Sequence, residues 1–459
     1  MTLGKQDLSG KLTKPEQSVN CSEPTTRLTA KNIDLDIAES NSLSVEQPEL
    51  DINSATADEL IVHIMTKAAG TSSIYKYLAK LRKISPIYRM GELPVLFCTN
   101  YKYSDFVFRD HRFGKPSAND NHNLTAQMMS PAGLTESAML KHSMLMKNPP
   151  DHTRLRSLVS KTFTPSRLNK LKPQIELITD DILNKVSDIK EVEVMEHIAF
   201  RLPVRIIGEL IGMPPEDRDQ FRYVVANSIA AMEPSATLEQ IKNASQAMST
   251  MELYMKEFIV EKKRHPGDDL CSELINAHVY KDKLNEDELI GTLVLLFAAG
   301  FETTTNLIGN GLYSLLSNID QYESLKSNPS YIESAVEEML RYESPVQLDA
   351  RVAFEDCHIG DTAVKKHDTV VIFIGAANRD PLQFDNPDIF NVTRAPNNPL
   401  SFAAGIHHCL GANLSRLEGK IVFSNMLERF KDITLTDEKV VWRNSFILRG
   451  LKQLNVTFG

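Results

Sequence analysis

Ser401–Gly419 reads SFAAGIHHCLGANLSRLEG. It sets two histidines against a cysteine at His407-His408-Cys409, with Gly405 and Gly411 on either side and a helix-like pattern beyond. Zinc takes both Cys and His, but adjacent residues rarely point at one ion and no second cluster completes a set. A nucleophilic thiolate wants a base and an orienting partner in space, which sequence neighbours do not guarantee. A lone cysteine most often simply packs, although the flanking glycines then have no purpose.

The whole chain narrows the field. Its 459 residues, 42% hydrophobic and 24% charged, are enough to enclose a sizeable ligand. With 51 basic and 60 acidic residues, net charge −9, it lacks the basic excess of a nucleic-acid binder. Five scattered cysteines, Cys21, Cys98, Cys271, Cys357 and Cys409, contain no pair at two-residue spacing. Zinc-ribbon and ferredoxin-type sites lack support, and a reducing cytoplasm fits. The first twenty residues have no apolar signal core. No uninterrupted apolar run suggests a membrane span.

Residues 1–54 are polar and aperiodic, and are expected to form a flexible extension ahead of one large domain, 55–459. Helical patterns cover 55–69 and 72–84, and short strand-like pieces surround Ile87–Arg89 and Val95–Phe97. Residues 114–142, with Met128, Met129 and Met139, read as a long loop, followed closely by Met144. Leu168, Leu171, Ile175, Ile178 and Ile182 share one helix face, and Pro165 suits that helix's first turn. Asn285 and Glu288 form a capping pattern opening a helix to about Ser317. Further helices are expected at 329–343 and 411–430, a β-prone piece at Thr369–Phe373, and a strand-rich tail. The fold class is mainly α with a small β portion.

A fourth reading of Cys409 is a thiolate ligand to haem. A helix N-terminus stabilises the anion, glycines let the chain pass beneath a flat macrocycle, and thiolate donation favours O–O cleavage. Phe402, Gly405, Cys409 and Gly411 have the spacing Phe, two residues, Gly, three residues, Cys, one residue, Gly. Here the sequence closely resembles the cytochrome P450 family of haem-thiolate monooxygenases, soluble bacterial type, from about residue 72 to the end. Ala403 stands where the family often has Gly.

In LLFAAGFETTTNLIGNG, Leu296, Ala299, Gly300 and Thr303 fall on one helix face. The small Ala299-Gly300 pair lets a flat ring approach, and Thr303 can bond a preceding carbonyl. Glu302 and Thr303 resemble the family's acid–alcohol pair, which relays protons during O2 activation. VEEMLRYESPVQ places Glu338 and Arg341 three apart, and the resemblance makes them, with Arg394, a buried structural trio. His152, Arg156, Arg351 and His407 match positions that hold haem propionates, through charge-assisted hydrogen bonds. The expected substrate wall is Leu295, Ala298, Ala299, Val346, Gln347, Phe446 and Ile447, mainly apolar and suited to a lipophilic small molecule.

The resemblance implies a fold with haem between a long central helix and the cysteine-loop helix. It implies haem b as cofactor, O2 as co-substrate, and insertion of one oxygen into a polyketide, terpenoid or fatty-acid type compound of secondary metabolism. The chain carries no flavin, nucleotide or iron–sulfur fingerprint, so electrons from NAD(P)H are expected through a separate ferredoxin and ferredoxin reductase, with the enzyme a monomer. His408, Arg416, Lys420 and Lys161 form a candidate basic docking patch. Phenol coupling or desaturation by the same chemistry, and a non-catalytic haem sensor, are the alternatives.

Overall fold

The computed structural model describes residues 50–459 apart from 69, 117–136, 220, 231–232, 234–235, 278–283 and 437–438. The expected extension up to residue 49, and Met128 and Met129, lie outside the described residues. Residues 50–54 do not belong to an extension. Asp51 accepts from the backbone N–H of Asn53 and the hydroxyl of Ser54, making a turn, and Leu50 and Ile52 pack on a hydrophobic cluster. The first helix, Ala57–His63, starts at Thr56 with a reciprocal Thr56/Glu59 capping box.

Glu286–Leu316 is the axis of the fold. Its 31 residues span about 46 Å at 1.5 Å each. Asn285 accepts from the Glu288 N–H at 2.8 Å, and Glu288 accepts from the Asn285 N–H at 2.9 Å. Glu288 also pairs with Arg154 on helix Asp151–Val159, which fixes the start of the axis against the helix carrying His152 and Arg156. By length and composition this central helix could cross a membrane, contrary to expectation. However, 72% of its most apolar window is buried inside the protein. Core helices of large proteins pass the same test because they are apolar all round.

Around it pack Pro165–Val186, Arg201–Ile211, Leu238–Arg264, Ile332–Tyr342 and Ala412–Arg429. Pro165 occupies the first turn of its helix, and Leu168, Ile175, Ile178 and Ile182 are buried as their spacing predicts. The expected loop 114–142 contains a short helix, Ala138–His142, whose Ser137 cap accepts from the Leu140 N–H. Three-residue spacing was too short there to stand out.

The largest sheet lies to one side. Its strands run Ile87–Arg89, Val95–Cys98, Thr369–Phe373, Leu348–Ala353 and Phe113–Gly114 in that order. Val95–Cys98 pairs in parallel with Thr369–Phe373 (Val95 opposite Thr369), and the other pairs are antiparallel. Leu348–Ala353 brings Asp349 and Arg351 to the helical body. Glu191–Glu193, Asn455–Phe458 and Ile433–Leu435 form a second sheet, and Val441–Trp442 pairs with Leu451–Gln453.

Candidate haem-binding site

A cavity of about 300 Å³ opens between the central helix and the segment Ser401–Ser415. Leu295, Leu296, Ala299, Gly300, Thr303 and Thr304 line it from the helix. Phe402, Ala403, His407, His408, Cys409, Leu410 and Gly411 line it from the loop.

The loop is shaped by its own backbone. The Ala403 N–H donates to the Leu400 carbonyl at 2.8 Å, and the Cys409 N–H to the Phe402 carbonyl at 2.9 Å. Gly405 sits at φ 70, and a Cβ there would collide with the Phe108 carbonyl oxygen. Glycine is therefore required at 405 on both counts. Gly411 is different. Its φ of −84 suits any residue, and a Cβ would meet nothing within 4 Å. The expected conformational need for glycine is absent at 411. What its missing side chain leaves is open space on the cavity wall.

Ala403 has φ 55, in the left-handed region, at the position where the resemblance expects glycine. That conformation costs a non-glycine residue roughly 1 kcal/mol. Ala403→Gly should therefore raise the chemical-denaturation stability of the protein by about that amount. No gain would mean the loop relieves the strain elsewhere.

Cys409 is exposed and lines this cavity. Burial pushes its thiol pKa up, while the N–H groups of Gly411 and Ala412 and the charges of Arg156 and Arg416 pull it back. Those N–H groups belong to the start of helix Ala412–Arg429, where backbone donors favour an anion. Phe402 lies beside it, with the Arg416 guanidinium 4.5 Å from its ring centroid.

Polar groups without protein partners gather at the same cavity. His152 and His407 line it with ring centroids 4.2 Å apart. Both nitrogens of His152, Nε2 of His407 and Nη2 of Arg351 are buried and have no partner among the described residues. Burial, then neighbouring cations, lowers His152 to about 4 and His407 to about 2. The two rings are therefore neutral before any anion arrives, not the imidazolium ions expected. Arg156 donates to the His408 carbonyl at 2.6 Å. Arg351 does not line the cavity itself. It bonds Asp349 at 2.7 Å, and Asp349, which does line it, also accepts from Lys115 at 2.5 Å. Burial raises the Asp349 carboxyl, but Arg351 and Lys115 together hold it well below the usual range. Burial and Arg351 bring Lys115 down to about 8. Lys115 and Asp349 had no signature of their own in the sequence. Only the pairing of Phe113–Gly114 with Val352–Ala353 brings them together.

On the central helix, Thr303 donates to the Ala299 carbonyl at 2.9 Å. Gly300 lines the cavity, but a Cβ there would also press on Ile207 of Arg201–Ile211 at 2.9 Å. Its smallness thus serves helix packing as well as approach to a ring. Glu302 is buried but does not line the cavity. Its Oε1 accepts from Arg443, which follows strand Val441–Trp442. Nothing near Glu302 in sequence announces that partner.

Leu295 and Val346 line the cavity as expected, and Met144 and Leu145 join them. Ala298, Gln347, Phe446 and Ile447 do not. Gln347 is turned away, donating to the Ser344 carbonyl at 2.7 Å and the Tyr75 hydroxyl at 3.2 Å. Phe446 packs on Phe373 at 5.5 Å. Ile447 is held through its backbone, its N–H donating to Glu233 and its carbonyl accepting from the Gln347 N–H. Ala298 packs into the main core. The basic patch is also largely spent. Arg416 pairs with Glu337 and Lys420 with Glu333, both on helix Ile332–Tyr342. His408 and Lys161 are exposed.

Glu338 and Arg341 are fully buried and form a two-pronged pair at 2.7 and 2.8 Å. The Arg394 Nε donates to both Glu338 oxygens, and Asn397 donates to Oε2. The remaining Arg341 donors reach the carbonyls of Asn378, Pro387 and Ile389. This knot ties the helix before the sheet to the irregular chain leading into the cysteine loop.

The residues present fit a haem. A cysteine backed by helix N–H groups faces a cavity walled by small and apolar side chains, and partnerless cationic or N–H donors stand at its edge. Comparisons with known proteins agree. The sequence pattern of the family described as Cytochrome P450 matches residues 60–455. The biotin biosynthesis cytochrome P450 of Bacillus subtilis (strain 168) is 37% identical over 406 residues, covering 86% of this chain and 100% of that protein. Cytochrome P450 CYP107DY1 of Priestia megaterium is 42% identical over 332 residues, 72% of this chain and 80% of that protein. The solved structure of myxobacterial cytochrome P450 CYP267B1 with myristic acid superposes with a TM-score of 0.80 at 31% identity, covering 87% of this chain and 99% of that one. The chain belongs to the cytochrome P450 family, and is a haem-thiolate monooxygenase.

Proposed function

We propose that Cys409 would bind the haem iron as a thiolate, that Arg351, His152, Arg156, His407 and Lys115 would hold the haem carboxylates, and that the substrate is a lipophilic small molecule seated against Leu295, Leu296 and Val346. One observation carries this reading: Cys409 and Thr303 face one cavity, with the partnerless donors of His152 and His407 on its wall. Bound haem supplies the redox centre at which O2 is activated with two electrons.

The chain's own residues do the rest. The N–H groups of Gly411 and Ala412 hold the sulfur as an anion once its proton is displaced. The apolar wall excludes water and takes up an alkyl or polyketide surface. Lys115 and Arg351 share one carboxylate, Asp349, and Arg156, held on the His408 carbonyl, adds a further positive charge on the cavity wall, so the site carries a net positive charge for incoming carboxylates. Thr303 lines the cavity with its hydroxyl proton on the Ala299 carbonyl, which leaves the oxygen to accept, and Glu302 is its proton donor. To act, Glu302 takes up a proton, leaves Arg443 and turns toward Thr303 as the neutral acid. Electrons come from a ferredoxin and its reductase docked on the Cys409 side of a monomeric enzyme. The likeness to proteins named for biotin biosynthesis and solved with myristic acid supports fatty-acyl substrates first, polyketides second.

The test is turnover of a fatty-acid and polyketide panel by the holoprotein with surrogate ferredoxin, reductase and NADPH. Oxygenated product from an acyl chain is expected. Binding spectra that respond to none of the panel would overturn the substrate class. Thr303→Ala should lower product per NADPH by about a hundredfold, with hydrogen peroxide rising in its place, since a positioned proton-transfer group is worth about that or more.

A further inference from the structure

The central helix carries a buried polar stripe of which the proposed chemistry uses only the first member, Glu302. Glu302, Asn306, Asn310 and Ser314 stand four residues apart on one ridge, and are 4%, 0%, 0% and 2% exposed. One stretch of chain, Trp442–Gly450, covers them. Arg443 pairs with Glu302. Gly450 abuts the Asn306 amide so closely that a Cβ there would collide with it. Asn310 Nδ2 donates to the Arg449 carbonyl at 2.9 Å. Trp442 meets Tyr313 edge to face at 5.8 Å.

This seam leaves polar atoms unanswered. Both amide atoms of Asn306, Oδ1 of Asn310, Oγ of Ser314 and Nε1 of Trp442 are buried without a partner among the described residues. Each such atom is costly to leave dry, and folded proteins answer them with internal water when no protein group does so. The same turns of the helix bury Leu307, Ile308, Leu312 and Leu315 in the apolar core, so the polar stripe is not what its burial requires. The unanswered atoms also alternate in kind: acceptor and donor on Asn306, acceptor on Asn310, both on Ser314, donor on Trp442. That mixture suits a chain of waters, each donating to the next.

We propose that the seam holds a file of internal waters that brings protons along the central helix to Glu302, with Asn306 and Asn310 as its positioning residues. The proposal rests on the reading of Glu302 as proton donor. The step balances simply. The Glu302 carboxylate takes a proton from the first water, that water takes one from the next, and the last, past the buried Ser314, takes one from solvent at the exposed Ser317 that ends the helix. One proton enters for each that Glu302 passes on, and no electron moves. The file spans about 18 Å, twelve residues of helix rise. A shorter path passes the part-exposed Arg443 side chain, but a fixed guanidinium repels an excess proton.

Asn306→Leu in the holoprotein tests it. The expected result is about a tenfold fall in product per NADPH, a matching rise in hydrogen peroxide, and a larger solvent isotope effect. Asn306→Ser, which can still hold a water, should recover most of the coupling. A high-resolution crystal structure of the wild-type holoenzyme should show water on the Asn306 amide. A dry seam in that structure, or a leucine variant with raised melting temperature and intact coupling, overturns the proposal. If the leucine variant does not fold, Ser314→Ala at the far end takes its place with the same readouts. Glu302→Gln separates the two ideas. If it leaves coupling intact, the donor reading fails whether or not waters are present. If it impairs coupling while Asn306→Leu does not, only the water file fails.

Discussion

Cys409→Ser should abolish the thiolate-type spectrum of the reduced, CO-bound holoprotein and bring oxygenation to the no-enzyme background. The argument is local. Cys409 alone among the described cysteines faces the cavity; Cys98, Cys271 and Cys357 are buried in other parts of the fold. Burial raises the pKa of all four thiols, but only Cys409 has helix-start N–H donors and two arginines drawing it back. Serine keeps the shape and loses the soft, electron-donating ligand. The donors of His152, His407 and Arg351 survive the change, so some haem should still be retained. That separates ligand loss from loss of the pocket. An unaltered CO band in Cys409→Ser would show that another group holds the iron.

The second large effect concerns stability. Glu338→Leu should cost about 3–5 kcal/mol, because it leaves two guanidiniums without their buried carboxylate. A protein of ordinary stability has about 5–15 kcal/mol to lose, so poor accumulation of folded holoprotein is expected. Chemical denaturation of whatever is recovered gives the number. Glu338→Gln, which keeps shape and two polar atoms, should fall between. A loss under about 1 kcal/mol for the leucine variant would mean the arginines find other partners, since exposed pairs contribute no more than that.

How much of this was legible in the sequence depended on whether the partners lie close along the chain. The capping box of Asn285 and Glu288, the first-turn Pro165, and the Glu338/Arg341 spacing are local, and each stands where its pattern put it. The cysteine loop is local too, although its glycines divide into one needed for conformation, Gly405, and one that leaves space, Gly411. The features that were missed are long-range. Arg443 reaches Glu302, Lys115 reaches Asp349, and Tyr75 draws Gln347 away from the cavity. In each case the two residues lie on segments joined only by tertiary packing, and no spacing rule relates them. Arg416 and Lys420 looked like a basic face because the helix carrying Glu333 and Glu337 could not be docked from sequence.

The parallel pairing of Val95–Cys98 with Thr369–Phe373 has a consequence for biosynthesis. The two strands are roughly 270 positions apart, a separation that slows folding because the loop must close before the contact rewards it. While the ribosome works through the helical body, Ile87–Cys98 exists only as a short hairpin with one edge bare. At about 5–20 residues per second that edge stays open for many seconds. Val95, Leu96, Phe97 and Cys98, all buried in the finished protein, are thus the segment most in need of chaperone cover in the nascent chain.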